Sequence, residues 1–252
     1  MKVLIYLGHP AHFHLFKETI KILKAKGNEI IIVIKRKDVL EDLLKSAGLN
    51  YYNVFPKERK DDKFSIALSL LRRDKEVFKI ALKEKPNLMI GTSPEITHVG
   101  KLLRVPSIVV NEDDADQVKF FAYFSYPFAD TIFVPSSCRV GRWKDKTVFY
   151  EGYHELAYLH PHYFTPDKLK IKELFKDEKP FFIIRFAKLT AHHDEGKTGI
   201  TFSSALKIIE TLSSRGNLFI TSERELEPEF EKYRIKLHPS LIHHALAFAD
   251  LY

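Results

Sequence analysis

The chain has 252 residues, 45% of them hydrophobic and 29% charged, a balance that suits one large or two smaller globular cores and excludes a fibrous or disordered chain. No apolar run nears the roughly 18 residues of a membrane span, the N-terminus enters a strand without a signal-peptide pattern, and the lone Cys138 excludes an internal disulfide or a cysteine zinc site. These features predict a cytoplasmic protein. The net charge of +7 favours phosphorylated ligands, nucleic acid or anionic lipid, or else marks a solvated lysine surface, because the basic residues are scattered among acids. Abundant Lys, Glu and Ile with a single glutamine, Gln117, fit selection for heat.

In chain order, Val3–Leu7 reads as a strand and about 13–26 as a helix stopped by Gly27. Next come a strand at 29–34, a helix at 39–46, a short strand at 51–54 and a long helix at about 64–84. Strands at 88–90, 107–110 and 131–134 alternate with helices near 95–103 and 116–126, and 147–150 reads as the last strand of this set. Such alternation needs right-handed crossovers and a parallel, doubly wound sheet. Residues 151–167, rich in Tyr, His and Pro, read as a connection. A second α/β pattern follows: strand 181–186, loop 187–199, helix 200–214, strand 218–220, helix 226–233, a short strand near Ile235, helix 241–248 and a strand opening at Asp250. The expected domains are 1–150 and 168–252 joined by 151–167, the second incomplete, with the architecture continuing beyond Tyr252.

Five loops collect polar residues, and four of them follow strands. The first, Gly8 to His14, offers a backbone free to approach a ligand and the imidazoles of His9, His12 and His14 as phosphate donors or acid–base groups; helix capping and packing compete with that reading. The spacing lacks a zinc-type i,i+4 pair, so no metal is expected. Thr92, Ser93 and Glu95 sit at a helix start beside Pro94, either as ligand contacts or as a cap. In Asn111–Asp116 the carboxylates of Glu112, Asp113, Asp114 and Asp116 repel, so one should have a raised pKa or a cation should neutralise them, unless they form a solvated acidic helix start. His154 lies in the connection. Arg185 at the end of a second-domain strand, with His192, His193 and Asp194 in the loop after it, forms a polar group that favours function over mere exposure.

At these residues the chain resembles a family. GHPAHFHLFK, EGYHELAYLHP, the RF and AHHD segment, TSERELEP and HPSLIHHALAFADLY are similar to proteins grouped as domain of unknown function three-five-four, over the whole chain. That family resembles the GT-B superfamily of nucleotide-sugar enzymes, including glycosyltransferases and non-hydrolysing UDP-N-acetylglucosamine 2-epimerases. The resemblance implies two Rossmann-like domains, with the nucleotide held mainly by the second. It places Gly8 and His9 in a substrate loop, Glu112 at a catalytic acid and His192 or His193 near a catalytic histidine. An arginine usual in the first loop is absent here, and the diphosphate loop and ribose-binding glutamate of the superfamily would lie past Tyr252.

The resulting expectation is a glycosyltransferase moving a sugar from a nucleotide donor, UDP-linked, to a glycan or lipid acceptor. Sugar-nucleotide epimerisation and non-catalytic binding by a shortened chain are the alternatives. Glu112 or His12 would act as base, with Arg185, His192 and His193 offsetting charge on the leaving diphosphate. Gly8, His9, His14, Thr92, Ser93, Glu95, Asp113, His154, Arg185, Asp194, Ser222 and Glu223 are the expected substrate contacts. No cofactor and no nucleic acid are expected. Contact with a membrane surface and a second copy of the chain are further partners this reading allows.

Overall fold

A computed structural model describes residues 1–36, 39–55, 63–175, 177–187 and 199–252 of the chain. They divide into two compact units, Met1–Phe164 and Thr165–Tyr252.

The first unit is built on strands β1 (Lys2–Leu7), β2 (Glu29–Lys35), β3 (Tyr52–Phe55), β4 (Leu88–Gly91), β5 (Ser107–Val110), β6 (Thr131–Pro135) and β7 (Thr147–Tyr150). They pair in parallel in the order β3-β2-β1-β4-β5-β6-β7. The chain winds outward from β1 to β3, then returns past β1 to begin β4, so the order reverses between β1 and β4. Every strand ends at the same edge. Near-continuous Val, Ile and Leu runs build these strands because both faces are covered. Along β1, Val3, Ile5 and Leu7 pack with Leu15, Phe16 and Ile20 of α1 (Pro10–Ala25) and Leu40, Leu43 and Leu44 of α2 (Leu40–Ser46). Leu4 and Tyr6 face the other way, toward Val77 and Ala81 of α3 (Lys63–Glu84) and Ile96 and Val99 of α4 (Pro94–Leu103). The two-residue alternation of the strand thus feeds two separate cores.

Helix α5 (Lys119–Ser125) is shorter than the expected 116–126 and packs Ala122 beside Tyr126, Val109, Ile132 and Val134. Residues 151–164, read from sequence as connection, belong to the first unit. Their short helix α6 (Leu156–Leu159) packs on α1, with the Tyr158 ring 5.4 Å from that of His14 and 5.8 Å from Lys17 Nζ. The aromatic residues that obscured any period in the sequence are what anchor this segment.

In the second unit β8 (Phe181–Phe186) and β9 (Asn217–Ser222) pair in parallel. Helix α7 (Phe202–Ser213) covers one face through Ala205 and Ile209. Helix α8 (Ile242–Phe248), with Ile171 and Leu174, covers the other through Ala245. The helix expected at 226–233 reduces to one 3-10 turn, Glu231–Tyr233. Pro228 explains the loss, since proline lacks an amide donor and steers the preceding residue away from helical geometry. Arg234 and Leu251 make single parallel bridges to Ile220 and Phe182, at the places where short strands were expected. Among the described residues no helix is long and apolar enough to cross a membrane.

Candidate functional site

The first unit gathers polar residues along the edge where the parallel strands end, and the strand order reverses between β1 and β4, the position at which such sheets generally bind ligands. After β1, the chain turns at Gly8, and the His9 Nδ1 caps α1 by accepting from the Ala11 amide at 3.2 Å. His12, in the first turn of α1, reaches across the reversal. Its Nδ1 accepts from the Gly8 amide at 3.1 Å and lies 2.7 Å from the hydroxyl oxygen of Thr92 just past β4, which is also 3.1 Å from Nε2. His12 thus ties the turn after β1 to the end of β4. His14 is buried instead, edge-on to Phe13 and tilted against Tyr158. The three histidines therefore diverge: one caps, one bridges two strand ends and one packs.

Glu95 lies fully inside the protein, where it is ion-paired with Arg73 and accepts from the Ser93 hydroxyl. Arg73 also donates to Ser69 at 2.9 Å. Half-buried Ser93 and buried Glu95, both among the expected substrate contacts, belong to a polar network tying α3 to α4. The Tyr6 phenol beside them is pushed well above its usual pKa, first by burial and then by the Glu95 carboxylate. Thr92 remains at the edge with His12.

The acidic stretch after β5 resolves its repulsion by dispersal. Asp114 accepts from the Arg139 backbone amide at 2.7 Å and pairs with its guanidinium at 2.6 Å, and Asp116 lies 3.4 Å from the same group. Asp113 is exposed, its backbone carbonyl receiving the Asn111 side chain at 2.7 Å. Glu112 turns the other way. Its Oε2 lies 3.2 Å from His154 Nδ1, brought there by the segment after β7 that returns to α1. This contact is the main cause holding the Glu112 carboxyl below its usual range; burial opposes it. The expectation of a raised carboxylate pKa is not met at Glu112, because an imidazole meets it.

His154 is buried, and its Nε2 finds no hydrogen-bond partner among the described residues, whereas the Glu112 carboxylate is 43% exposed. The arrangement is a carboxylate presented to solvent and held from behind by a histidine. Two phenols stand near it: Tyr150 and Tyr158 are each pushed up to about 12, by burial first, with Glu112 contributing, so both remain neutral donors. The Cys138 thiol donates to the Glu112 carbonyl at 3.0 Å. Sequence reasoning passed over Tyr150, Tyr158 and Cys138 as site residues. Only their position after or near strand ends hinted at them.

In the second unit Arg185, near the end of β8, pairs with Glu223, which follows β9, and also bonds Tyr252. The Ser222 hydroxyl donates to the Arg224 carbonyl at 2.7 Å and accepts from its amide at 3.2 Å, closing a tight turn. His192, His193 and Asp194 lie outside the described residues.

Solved structures share this architecture. A UDP-GlcNAc 2-epimerase from Neisseria meningitidis, solved bound to UDP-GlcNAc, matches all of this chain over 71% of its own, with a TM-score of 0.59 at 13% identity. The fold is GT-B. The spinosyn rhamnosyltransferase SpnG matches over 100% of this chain and 74% of its own, with a TM-score of 0.59 at 14% identity. A UDP-GlcNAc 2-epimerase from Methanocaldococcus jannaschii matches over 98% and 68%, with a TM-score of 0.57 at 14% identity. No family model and no curated sequence matches the chain.

Proposed function

We propose that this GT-B chain is a glycosyltransferase acting on a nucleotide-sugar donor, UDP-linked, and that it belongs to the three-five-four family its motifs resemble. The observation that carries the reading is Glu112: an ionised, solvent-facing carboxylate fixed by His154 at the edge where the first-unit strands end. In this mechanism Glu112 accepts the proton of an acceptor hydroxyl as that oxygen bonds the anomeric carbon. The bond from that carbon to the nucleoside diphosphate breaks, and the diphosphate leaves with the electron pair. A carboxylate of depressed pKa is a modest base, so orientation carries more of its effect than basicity. The paired His12 and Thr92 line the acceptor or sugar side, and Arg185 with His192 and His193 offsets the charge of the leaving diphosphate.

The epimerases among the solved relatives favour a second reading, in which the same groups act on the sugar of the nucleotide itself. Incubation with radiolabelled UDP-N-acetylglucosamine and a panel of glycan and lipid acceptors decides between them. A labelled glycoside is expected. A labelled epimer without glycoside would replace transfer by epimerisation, and an unchanged donor across a range of nucleotide sugars would sink both.

A further inference from the structure

Helix α5 shows an unusual face. Its sequence, KFFAYFS, turns Ala122 and Ser125 inward and leaves Phe120, Tyr123 and Phe124 exposed, with the Phe120 and Phe124 rings stacked at 4.4 Å. The patch continues beyond the helix. Exposed Phe128 meets the His98 ring at 5.0 Å, and His98 in turn donates to the Phe124 carbonyl at 2.6 Å. Leu102, close by on α4, is 70% exposed. Single exposed apolar side chains are ordinary, but a contiguous set rimmed by charge marks an interaction surface.

The rim is cationic. The Arg142 guanidinium sits 5.4 Å from the Tyr123 ring centroid and 4.9 Å from that of Trp143. Lys119 joins these residues around a groove of about 400 Å³. Lys146 donates to the carbonyls of Pro127 and Ala129 on either side of Phe128; Asp130, which accepts from the Ser107 amide and hydroxyl, and Lys101 both lie within electrostatic reach of it. The acid in the groove, Asp116, is already paired with Arg139.

We propose that the α5 face docks this protein on an anionic lipid bilayer, with Phe120, Tyr123, Phe124 and Phe128 entering the interface and Lys101, Lys119 and Arg142 meeting lipid phosphates. Charge selects this occupant. A second copy apposed through the same face would set these cations against themselves, whereas an anionic headgroup layer complements them. Stacked nucleobases are disfavoured, because Phe120 and Phe124 cover each other and Arg142 covers Tyr123. Phe, Tyr and Trp flanked by Lys and Arg are the side chains that settle at the boundary of water and acyl chains.

Trp143 is the sole tryptophan and borders the patch, so it reports docking directly. With vesicles of phosphatidylglycerol and phosphatidylcholine at low salt, its emission should shift to the blue and the protein should co-sediment; phosphatidylcholine alone should bind more weakly. Phe120→Ser with Phe124→Ser should lower the vesicle partition coefficient at least about tenfold. Lys101→Glu with Lys119→Glu, both at exposed positions, should lower it at low salt and flatten its salt dependence, and decides the matter if the ring variant does not fold. Docking is overturned if the wild-type protein ignores anionic vesicles, or if the charge variant binds them undiminished. It is also overturned if a solution dimer becomes monomeric in the ring variant, or if the surface retains single-stranded DNA but not vesicles. Lipid binding is read without any sugar substrate, so its failure and that of the proposed chemistry are distinguishable.

Discussion

Glu112 and His154 depend on each other, and their chemistry can be separated by pH. The histidine depresses the Glu112 carboxyl, so the acid limb of kcat/KM should lie below the ordinary carboxylate range and move to higher pH in His154→Ala. An acid limb unmoved by that substitution would remove His154 from its positioning role. Glu112→Gln should lower kcat by about 10²- to 10⁴-fold, as loss of a proton acceptor does. Because the native carboxyl pKa is lowered, its contribution to stability is present above the unfolded value and is lost as pH falls through the folded one. Glu95 differs in being fully buried against Arg73. Arg73→Met should cost about 3–5 kcal/mol by stranding that charge, and adding Glu95→Leu should recover much of the loss. Urea unfolding measures both; a single variant as stable as the wild type would contradict the buried pair.

At the level of elements, the contact of β1 with β4 requires Gly91. A Cβ there would come within 2.9 Å of the Tyr6 carbonyl oxygen and 3.0 Å of its Cβ. Both belong to a neighbouring strand that cannot yield, so Gly91→Ala should destabilise by about 1–3 kcal/mol, read as a lower urea midpoint. The helices on that face meet at His98, which lies 3.0 Å from Asp74 of α3 and 2.6 Å from the Phe124 carbonyl of α5. Burial works against protonation of His98, but the Asp74 carboxylate and the Phe124 carbonyl, aided by Glu95, outweigh it and raise its pKa. A raised folded pKa means the contribution is full below the unfolded value of about 6.5 and disappears as pH climbs through the folded one. The stability gap between wild type and His98→Asn should therefore be widest near pH 5.5 and narrow at alkaline pH. A gap independent of pH would show that the imidazole acts by packing alone.

For the molecule as a whole, the first unit holds its own seven-stranded sheet and cores on both faces. A fragment of residues 1–164 should accordingly unfold in one cooperative thermal transition by circular dichroism, whereas a fragment ending at 150 should be less stable. The difference arises because the shorter piece loses α6 and the packing of Tyr158 on α1. Equal transition temperatures would return 151–164 to the role of a connection.

The sequence determined the doubly wound architecture by itself, since the strands are compact apolar runs and most helices carry an apolar stripe and a stop within the same few residues. Strands 107–110, 147–150 and 181–186 could be bounded to the residue on that basis. It also pointed to the strand ends as the place for Glu112, His12 and Arg185. Partnership was beyond it. That His154 backs Glu112, that Arg73 buries Glu95, and that His14 packs on Tyr158 are pairings between distant segments, and a local pattern holds no term for them. Only the crossing of the parallel strands and the return of 151–164 to α1 decided which histidine meets a carboxylate, which caps a helix and which is packed away.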